Sequence, residues 1–264
     1  MLTVRNLSLP AVAGSSKLLL DDVSLHLDYG EKLAVLGANG AGKSSLLKCI
    51  SGEYDHYRGD ILLDRLSLRH WTPVQKAMQL AVMPQNVELA FPFTAGQVVS
   101  LGRSPQQDED DSLDIQAQAM RCADVWHLRE RSYLSLSGGE QQRVQLARVL
   151  AQIWVTPRTK LERELPRCLL LDECTSALDP AHQHSTMERI DDFALGGVAV
   201  LAVMHDISLA AAWADRVLIL RDGRVLASGE VDLLSHPELL AEAYRMPLVL
   251  ARRFAQQNRH WMQA

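Results

Sequence analysis

Gly37-Ala38-Asn39-Gly40-Ala41-Gly42-Lys43-Ser44 follows directly on the apolar run Leu33-Ala34-Val35-Leu36. A buried strand, a glycine-rich loop and a helix in that order predict an α/β core organised around a phosphate cradle. Glycines let backbone N–H groups turn toward anionic oxygens with no Cβ in the way. A helix beginning near Lys43 aims the positive end of its dipole at the same place. The cradle takes in Gly37, Ala38, Asn39, Gly40, Ala41 and Gly42, with Ser45 beside it. The pattern places Lys43 to reach the β and γ phosphates of a nucleoside triphosphate, and Ser44 to offer its hydroxyl to the Mg²⁺ that bridges them.

The rest of the chain is compatible with such a core and narrows its class. With 264 residues, 47% of them hydrophobic, the sequence is long enough for one large or two unequal domains. A formal net charge of -5 supplies no overall basic field, which argues against nucleic acid as the main ligand. Met1 to Leu7 lacks the basic start and apolar core of a secretion signal, and no apolar run reaches about 18 residues. The expectation is a cytosolic chain that crosses no bilayer alone. Cys49, Cys122, Cys168 and Cys174 show neither Cys-x-x-Cys nor paired-His spacing and read as free thiols.

Alternation in Leu2-Thr3-Val4 and in Val23-Ser24-Leu25-His26-Leu27 predicts antiparallel strands in a small sheet beside the core. The helix after Lys43 is expected to stop at Ser51-Gly52, where glycine takes the left-handed cap conformation. Cys168-Leu169-Leu170-Leu171 and Val198 to Met204 are apolar on both faces, as central parallel strands are. Asp222-Gly223, between Val217 to Leu220 and Arg224 to Ala227, marks a hairpin. Between Pro84 and Ile153 the period turns helical, with Ile115, Ala119, Cys122, Ala123, Val125 and Trp126 on one face, so a helical insertion is expected there. Asp108 to Asp111 and the charged, proline-bounded stretch Pro157 to Pro166 read as solvated loop and exposed connector.

Leu169-Leu170-Leu171-Asp172-Glu173 ends a buried strand in two carboxylates, at the edge where parallel α/β sheets hold ligands. Asp172 is the candidate Mg²⁺ ligand and Glu173 the candidate base that takes a proton from an attacking water. Leu136-Ser137-Gly138-Gly139-Glu140 then opens a second helix, over Gln141 to Ile153, whose first N–H groups suit another anion.

With these motifs in order, the sequence resembles the ATP-binding subunits of ABC transporters over nearly its whole length. The resemblance implies a single domain over 1–264, with a P-loop ATPase core and N-terminal antiparallel β subdomain in 1–84 and 161–264 and an inserted α-helical subdomain in 85–160. It also implies that Gln85 is the glutamine-loop residue, touching Mg²⁺ and the reaction, and that Ser176-Ala177-Leu178-Asp179 is a dimer-contacting loop. His205 matches the switch histidine at the γ phosphate. In a head-to-tail homodimer ATP would lie between the loop of Lys43 in one subunit and Ser137, Gly138 and Gly139 of the other. The partners implied are an integral-membrane permease dimer, with the ATPase on the cytoplasmic face of a bacterial inner membrane.

Leu89 to Thr94 with Leu101-Gly102-Arg103-Ser104-Pro105 is similar to importers of iron chelates, haem and cobalamin. Ala147 to Trp154 and Asp179-Pro180-Ala181-His182-Gln183 are most similar to bacterial haemin-import ATPases, which implies a periplasmic haemin-binding protein reached through the permease. Ferric siderophore or cobalamin is the alternative cargo, and a soluble non-transport ABC ATPase the alternative of another class. Three departures from the family pattern stand out, one of them Ala38, which replaces a common proline in the phosphate loop and changes stiffness more than chemistry. No aromatic for stacking on adenine lies at or next to Leu9, which implies weak discrimination between ATP and GTP, and Cys174 replaces the usual proline after Glu173. Cys174 is expected to be a tolerated substitution with no redox role, and His182 and His184 to lie on a solvated helix and not to ligate haem.

Overall fold

In the computed structural model, which describes residues 1–12, 15–85, 87, 89, 91–105, 112–154 and 166–262, the strands are β1 (Leu2–Pro10), β2 (Leu18–Leu27), β3 (Lys32–Leu36), β4 (Arg58–Leu63), β5 (Leu66–Ser67), β6 (Leu80–Met83), β7 (Cys168–Asp172), β8 (Ala199–Val203), β9 (Arg216–Arg221) and β10 (Arg224–Glu230). The helices are α1 (Lys43–Ser51), α2 (Pro73–Gln79), α3 (Ala95–Ser100), α4 (Ser112–Cys122), α5 (Gly138–Ile153), α6 (Pro180–Leu195), α7 (Ile207–Trp213), α8 (Pro237–Tyr244) and α9 (Leu248–Trp261). The chain folds as two compact units, Met1–His70 with Ala199–Ala264, and Trp71–Val198.

The first unit holds an antiparallel sheet in the order β2-β1-β4-β5. Its β1–β2 pairing sets Leu2 against Leu27 and Leu9 against Leu20, and all four are fully buried. The sheet expected from the leucine alternation is therefore present, extended by β4 and β5. The unit also carries β10-β9-β3-β8 in sheet order, with β3 parallel to both β8 and β9. All five residues of β8 are buried, which is why no polar residue interrupts its sequence. Asp222 (φ 50) and Gly223 (φ 80) both lie in the left-handed region, the type I′ geometry whose twist suits a tight hairpin between β9 and β10. α1 ends where Gly52 takes φ 87 and its N–H bonds the Cys49 carbonyl.

In the second unit β6 runs parallel to β7, pairing Leu80 with Cys168 and Met83 with Leu171. Every residue of β7 is buried, and replacing Leu170 by alanine would cost about 2–5 kcal/mol. α5 presents Val144, Ala147, Leu150 and Ala151 to the unit's interior. Against it lies the 3-10 turn Leu101–Arg103, so close that a Cβ on Gly102 would stand 2.2 Å from the Arg148 carbonyl oxygen. Arg103 reaches the end of the same helix and donates to the Ala151 and Trp154 carbonyls at 3.1 Å each. That caps groups a helix C-terminus leaves open.

One helix is shorter than its apolar spacing implies. α4 stops at Cys122, because Asp124 turns left-handed (φ 54) while Val125 N–H bonds the Met120 carbonyl at 2.8 Å and Asp124 N–H that of Arg121 at 3.1 Å. This is a Schellman end with aspartate in the glycine position. Ile115, Ala119, Ala123 and Val125 are still buried. The acidic run Asp108 to Asp111 and the connector from Pro157 lie outside the described residues, except for Pro166, which is buried.

Candidate functional site

In the first unit β3 delivers the chain into the loop Gly37 to Gly42. Gly37 has φ 140, and a Cβ there would meet the Leu220 carbonyl oxygen at 2.2 Å, so only glycine lets the loop leave the strand against β9. Gly42 (φ 103) is the N-cap of α1 and supplies no side-chain bond to it. No side chain therefore caps the start of that helix, where the dipole favours an anion. Ala41 accepts from Gly223 N–H at 3.1 Å, fastening the loop to the β9–β10 turn.

Lys43 is 6% exposed, and its Nζ donates across the loop to the Gly37 and Ala38 carbonyls at 2.8 and 3.2 Å. The loop thus keeps a cation at its centre. Ser44 and Ser45 are half-buried on the first turn of α1, and Asn39 and Gly40 are exposed at the loop tip. His205 is exposed just beyond β8, on the same C-terminal strand edge as the loop, since Val35 of β3 pairs in parallel with Val203 and accepts from Met204 N–H at 3.1 Å.

In the second unit Asp172 closes β7 and is 5% exposed. Glu173 follows in the left-handed region at φ 56, a conformation that costs a residue with a Cβ of order 1–3 kcal/mol. Its Oε2 accepts from Gln85 Nε2 at 2.6 Å. The strand register explains that meeting: Met83 pairs with Leu171, so Gln85 and Glu173 each lie two residues beyond the same paired position of parallel strands. In this unit the Gln85 amide oxygen and the Asp172 carboxylate are hard oxygen donors, the kind Mg²⁺ takes, as in the first unit is the Ser44 hydroxyl. The phosphate loop in turn has the glycines and the lysine that a polyphosphate requires. The residues present fit both groups.

The second glycine turn is built differently. Ser137 is the N-cap of α5 and forms a complete capping box with Glu140. Ser137 N–H donates to Glu140 Oε2 at 2.7 Å, the Ser137 hydroxyl donates to the same oxygen at 2.9 Å, and Glu140 N–H donates to Ser137 Oγ at 3.3 Å. The Ser137 N–H holds the Glu140 carboxyl below the usual carboxylate range. Gly138 and Gly139, the first positions inside the helix, carry N–H groups that the helix itself does not use. A Cβ on Gly138 would meet nothing within 4 Å, whereas one on Gly139 would lie 3.2 Å from the Ala177 carbonyl oxygen.

Asp179 caps α6 through His182 N–H at 3.0 Å, and its carboxyl is held low by that bond. Its other oxygen lies 2.7 Å from His182 Nδ1, so His182 belongs to the cap. Gln142, which sequence reasoning passed over, bonds the turn after Glu173 from the first turns of α5. Nothing in its position distinguishes it from the neighbouring glutamines, and only the contact reveals it. Gln85, Gly138, Gln142 and Ser176 share the wall of a cavity of about 280 Å³ in this unit.

The family described as ABC transporter matches residues 20–176, a span running from before the phosphate loop to just past Glu173. The chain belongs to the ABC transporter family. Among its relatives, the hemin import ATP-binding protein HmuV of Pseudomonas fluorescens (strain Pf0-1) is 47% identical over 237 residues, 89% of each chain. HmuV of Pseudomonas aeruginosa is 44% identical over 253 residues, covering 96% of this chain and 95% of the relative. A solved ATP-binding subunit of an ABC transporter superposes with TM-score 0.77 at 25% identity, over 96% of this chain and 99% of that one.

Within this ABC chain Leu9 and Cys174, two of the departures from the family pattern, sit in the interior, while Ala38 is half-buried in the phosphate loop. Leu9 is fully buried against Leu20 in its sheet. Cys174 is buried, and burial pushes its thiol up to about 12, as it does for Cys49 and Cys168. A thiol so rarely ionised is a poor redox switch. All four cysteines are free. Among the described residues no helix is long and apolar enough to cross a membrane.

Proposed function

We propose that this chain is the ATP-hydrolysing, energy-coupling subunit of a bacterial importer of haemin. The observation that carries the hydrolytic part is the 2.6 Å bond from Gln85 to Glu173, which orients a carboxylate at the end of a buried strand. The cargo follows from the HmuV relatives, which match at 44–47% identity over at least 85% of this chain.

In this reading residues 1–84 and 161–264 form the nucleotide-binding core, and 85–160 the helical part that meets a permease. The loop Gly37 to Ser45 binds the triphosphate of ATP through its N–H groups, and Lys43 exchanges loop carbonyls for β and γ oxygens. Ser44, Asp172 and Gln85 hold Mg²⁺, which offsets the phosphate charge when bound. Glu173 accepts the proton of the attacking water, Gln85 keeps its carboxylate aimed, and His205 contacts the γ phosphate.

Ser137, Gly138 and Gly139, with Asp179, act in trans: two chains pair head to tail, each supplying its Ser-Gly-Gly turn to the nucleotide of the other. Closing the pair is favoured while the γ phosphate is met from both sides and is lost on hydrolysis. The homodimer works on a permease dimer at the cytoplasmic face of the inner membrane, with a periplasmic haemin-binding protein delivering cargo to the permease. Without an aromatic at Leu9, base selectivity between ATP and GTP is weak.

Replacing Glu173 by glutamine should lower turnover about 10²- to 10⁴-fold and trap an ATP-bound dimer. Undiminished hydrolysis would remove Glu173 from the role of base. Reconstitution in liposomes with the permease and binding protein, supplied with haemin, a ferric siderophore or cobalamin, tests the cargo. Stimulation by either of the other two and not by haemin would replace it, and no stimulation by any favours a soluble ABC ATPase.

A further inference from the structure

Gln142 uses both ends of its side-chain amide on one backbone turn. Its Nε2 donates to the Glu173 carbonyl at 3.0 Å and to Ser176 Oγ at 3.4 Å, and its Oε1 accepts from Ala177 N–H at 3.1 Å. The Glu173 carbonyl also takes Ser176 N–H at 3.2 Å. Glu173 itself stands at φ 56, outside strand and helix, so these donors rather than a ladder set the orientation of its peptide and with it the direction of its side chain. From the other side Gln183 of α6 donates to the Thr175 and Leu178 carbonyls at 3.1 Å each. The turn from Glu173 to Asp179 is suspended between two helix glutamines. Of the two, Gln142 stands on the helix that opens with Ser137, Gly138 and Gly139, five residues and about 7.5 Å of helix from its cap.

We infer that Gln142 is a positioning residue that ties the Ser-Gly-Gly helix to the carboxylate of Glu173 in the same chain, and through it links the two nucleotide sites of the dimer. The inference rests on the proposed roles of Glu173 and of the Ser-Gly-Gly turn. In the head-to-tail pair a chain offers that turn to its partner's nucleotide, while its Glu173 acts on its own. Docking of α5 at one site therefore sets the base at the other. The consequence is positive cooperativity of turnover in ATP, since the base at one site is set only when the other is occupied, and the link is a short chain of hydrogen bonds.

Gln142→Met keeps the side-chain length and removes all three contacts. In the full-length protein assembled with its permease in liposomes, kcat should fall about 10- to 100-fold while half-saturating ATP moves less than about twofold, and the Hill coefficient should drop to one. Gln183→Met loosens the same turn from α6 and should lower kcat with the Hill coefficient unchanged. Should Gln142→Met fail to fold, Gln142→Glu removes the donor to Glu173 while keeping the acceptor for Ala177 N–H, and the same two losses are expected. Wild-type kcat and cooperativity in a folded Gln142 variant overturn the inference. So does a parent with no cooperativity, or a Gln183→Met variant that loses it equally. Failure of the underlying reading would show separately, as a Glu173→Gln protein that hydrolyses ATP at the parent rate.

Discussion

The two glycine turns that open α1 and α5 start from the same need and meet it in opposite ways. At α1 the N-cap is Gly42, which offers no side chain, and a buried lysine crosses the loop instead. At α5 the N-cap is Ser137, locked with Glu140 in a reciprocal box. The first turn is a loop of glycines at positive φ, with 140, 79 and 103 at Gly37, Gly40 and Gly42, and no side chain caps the helix it opens. The second is satisfied by its own residues and keeps only the N–H groups of Gly138 and Gly139 for another molecule. It also carries a negative charge, that of Glu140, where a phosphate would arrive, partly answered by Arg131 at 3.6 Å. On the proposed function, a loop that encloses the triphosphate and a helix end that adds a finishing contact are different devices. That difference suits a site that binds first on one surface and closes later with the other.

The largest test of this contrast is Lys43→Ala, which should lower ATP turnover about 10²- to 10³-fold. Near-parental turnover would place the anion elsewhere. Glycine substitutions should separate the two turns next. In Gly42→Ala the new Cβ meets Leu20 Cδ2 at 2.8 Å in a left-handed backbone, so folding should lose about 1–3 kcal/mol in a denaturant titration. Gly138→Ala has open space and should stay within about 0.5 kcal/mol of the parent while weakening ATP-driven dimerisation. Equal destabilisation of both would mean that the turns are not built differently.

Ser137→Ala, which breaks the capping box, should cost about 1 kcal/mol by the same titration. Glu140→Gln keeps the box geometry and removes the charge. It should lower stability by about 0.3–1 kcal/mol through the helix dipole and at the same time reduce half-saturating ATP, whereas an unchanged or higher value would show that the charge does not oppose the nucleotide. The smallest expected effect is with acid. The Glu140 carboxyl is held below its ordinary value of 4.5, so its contribution is complete above that pH and is lost as pH falls through the lower folded value. Glu140→Gln should flatten that part of the acid-unfolding curve.

Much of this molecule is legible in short stretches of sequence. Asp222-Gly223 declares a hairpin because both residues tolerate positive φ, and Gly52 ends α1 for the same reason. β7 and β8 read as buried strands because an unbroken apolar run has no polar face to leave in water. The end of α4 was not legible, since apolar spacing continues past Cys122 while an aspartate does a glycine's work at position 124. β4 and β5 were missed because they owe their place to pairing at a distance: Ile61 of β4 meets Val4 of β1, and the two residues of β5 pair with β4.

What the chain determined alone is local: which residues take left-handed backbone, which helix starts lack or carry a cap, and where carboxylates follow a buried strand. Each depends on dihedral sterics or hydrogen bonds within a few positions. Tertiary structure decided which side chains meet. Gln85 reaches Glu173 across 88 positions because two parallel strands pair in register, and Gln142 reaches Ala177 across 35 because α5 lies beside the turn. Such distances follow from strand register and helix packing, which no short window of residues contains.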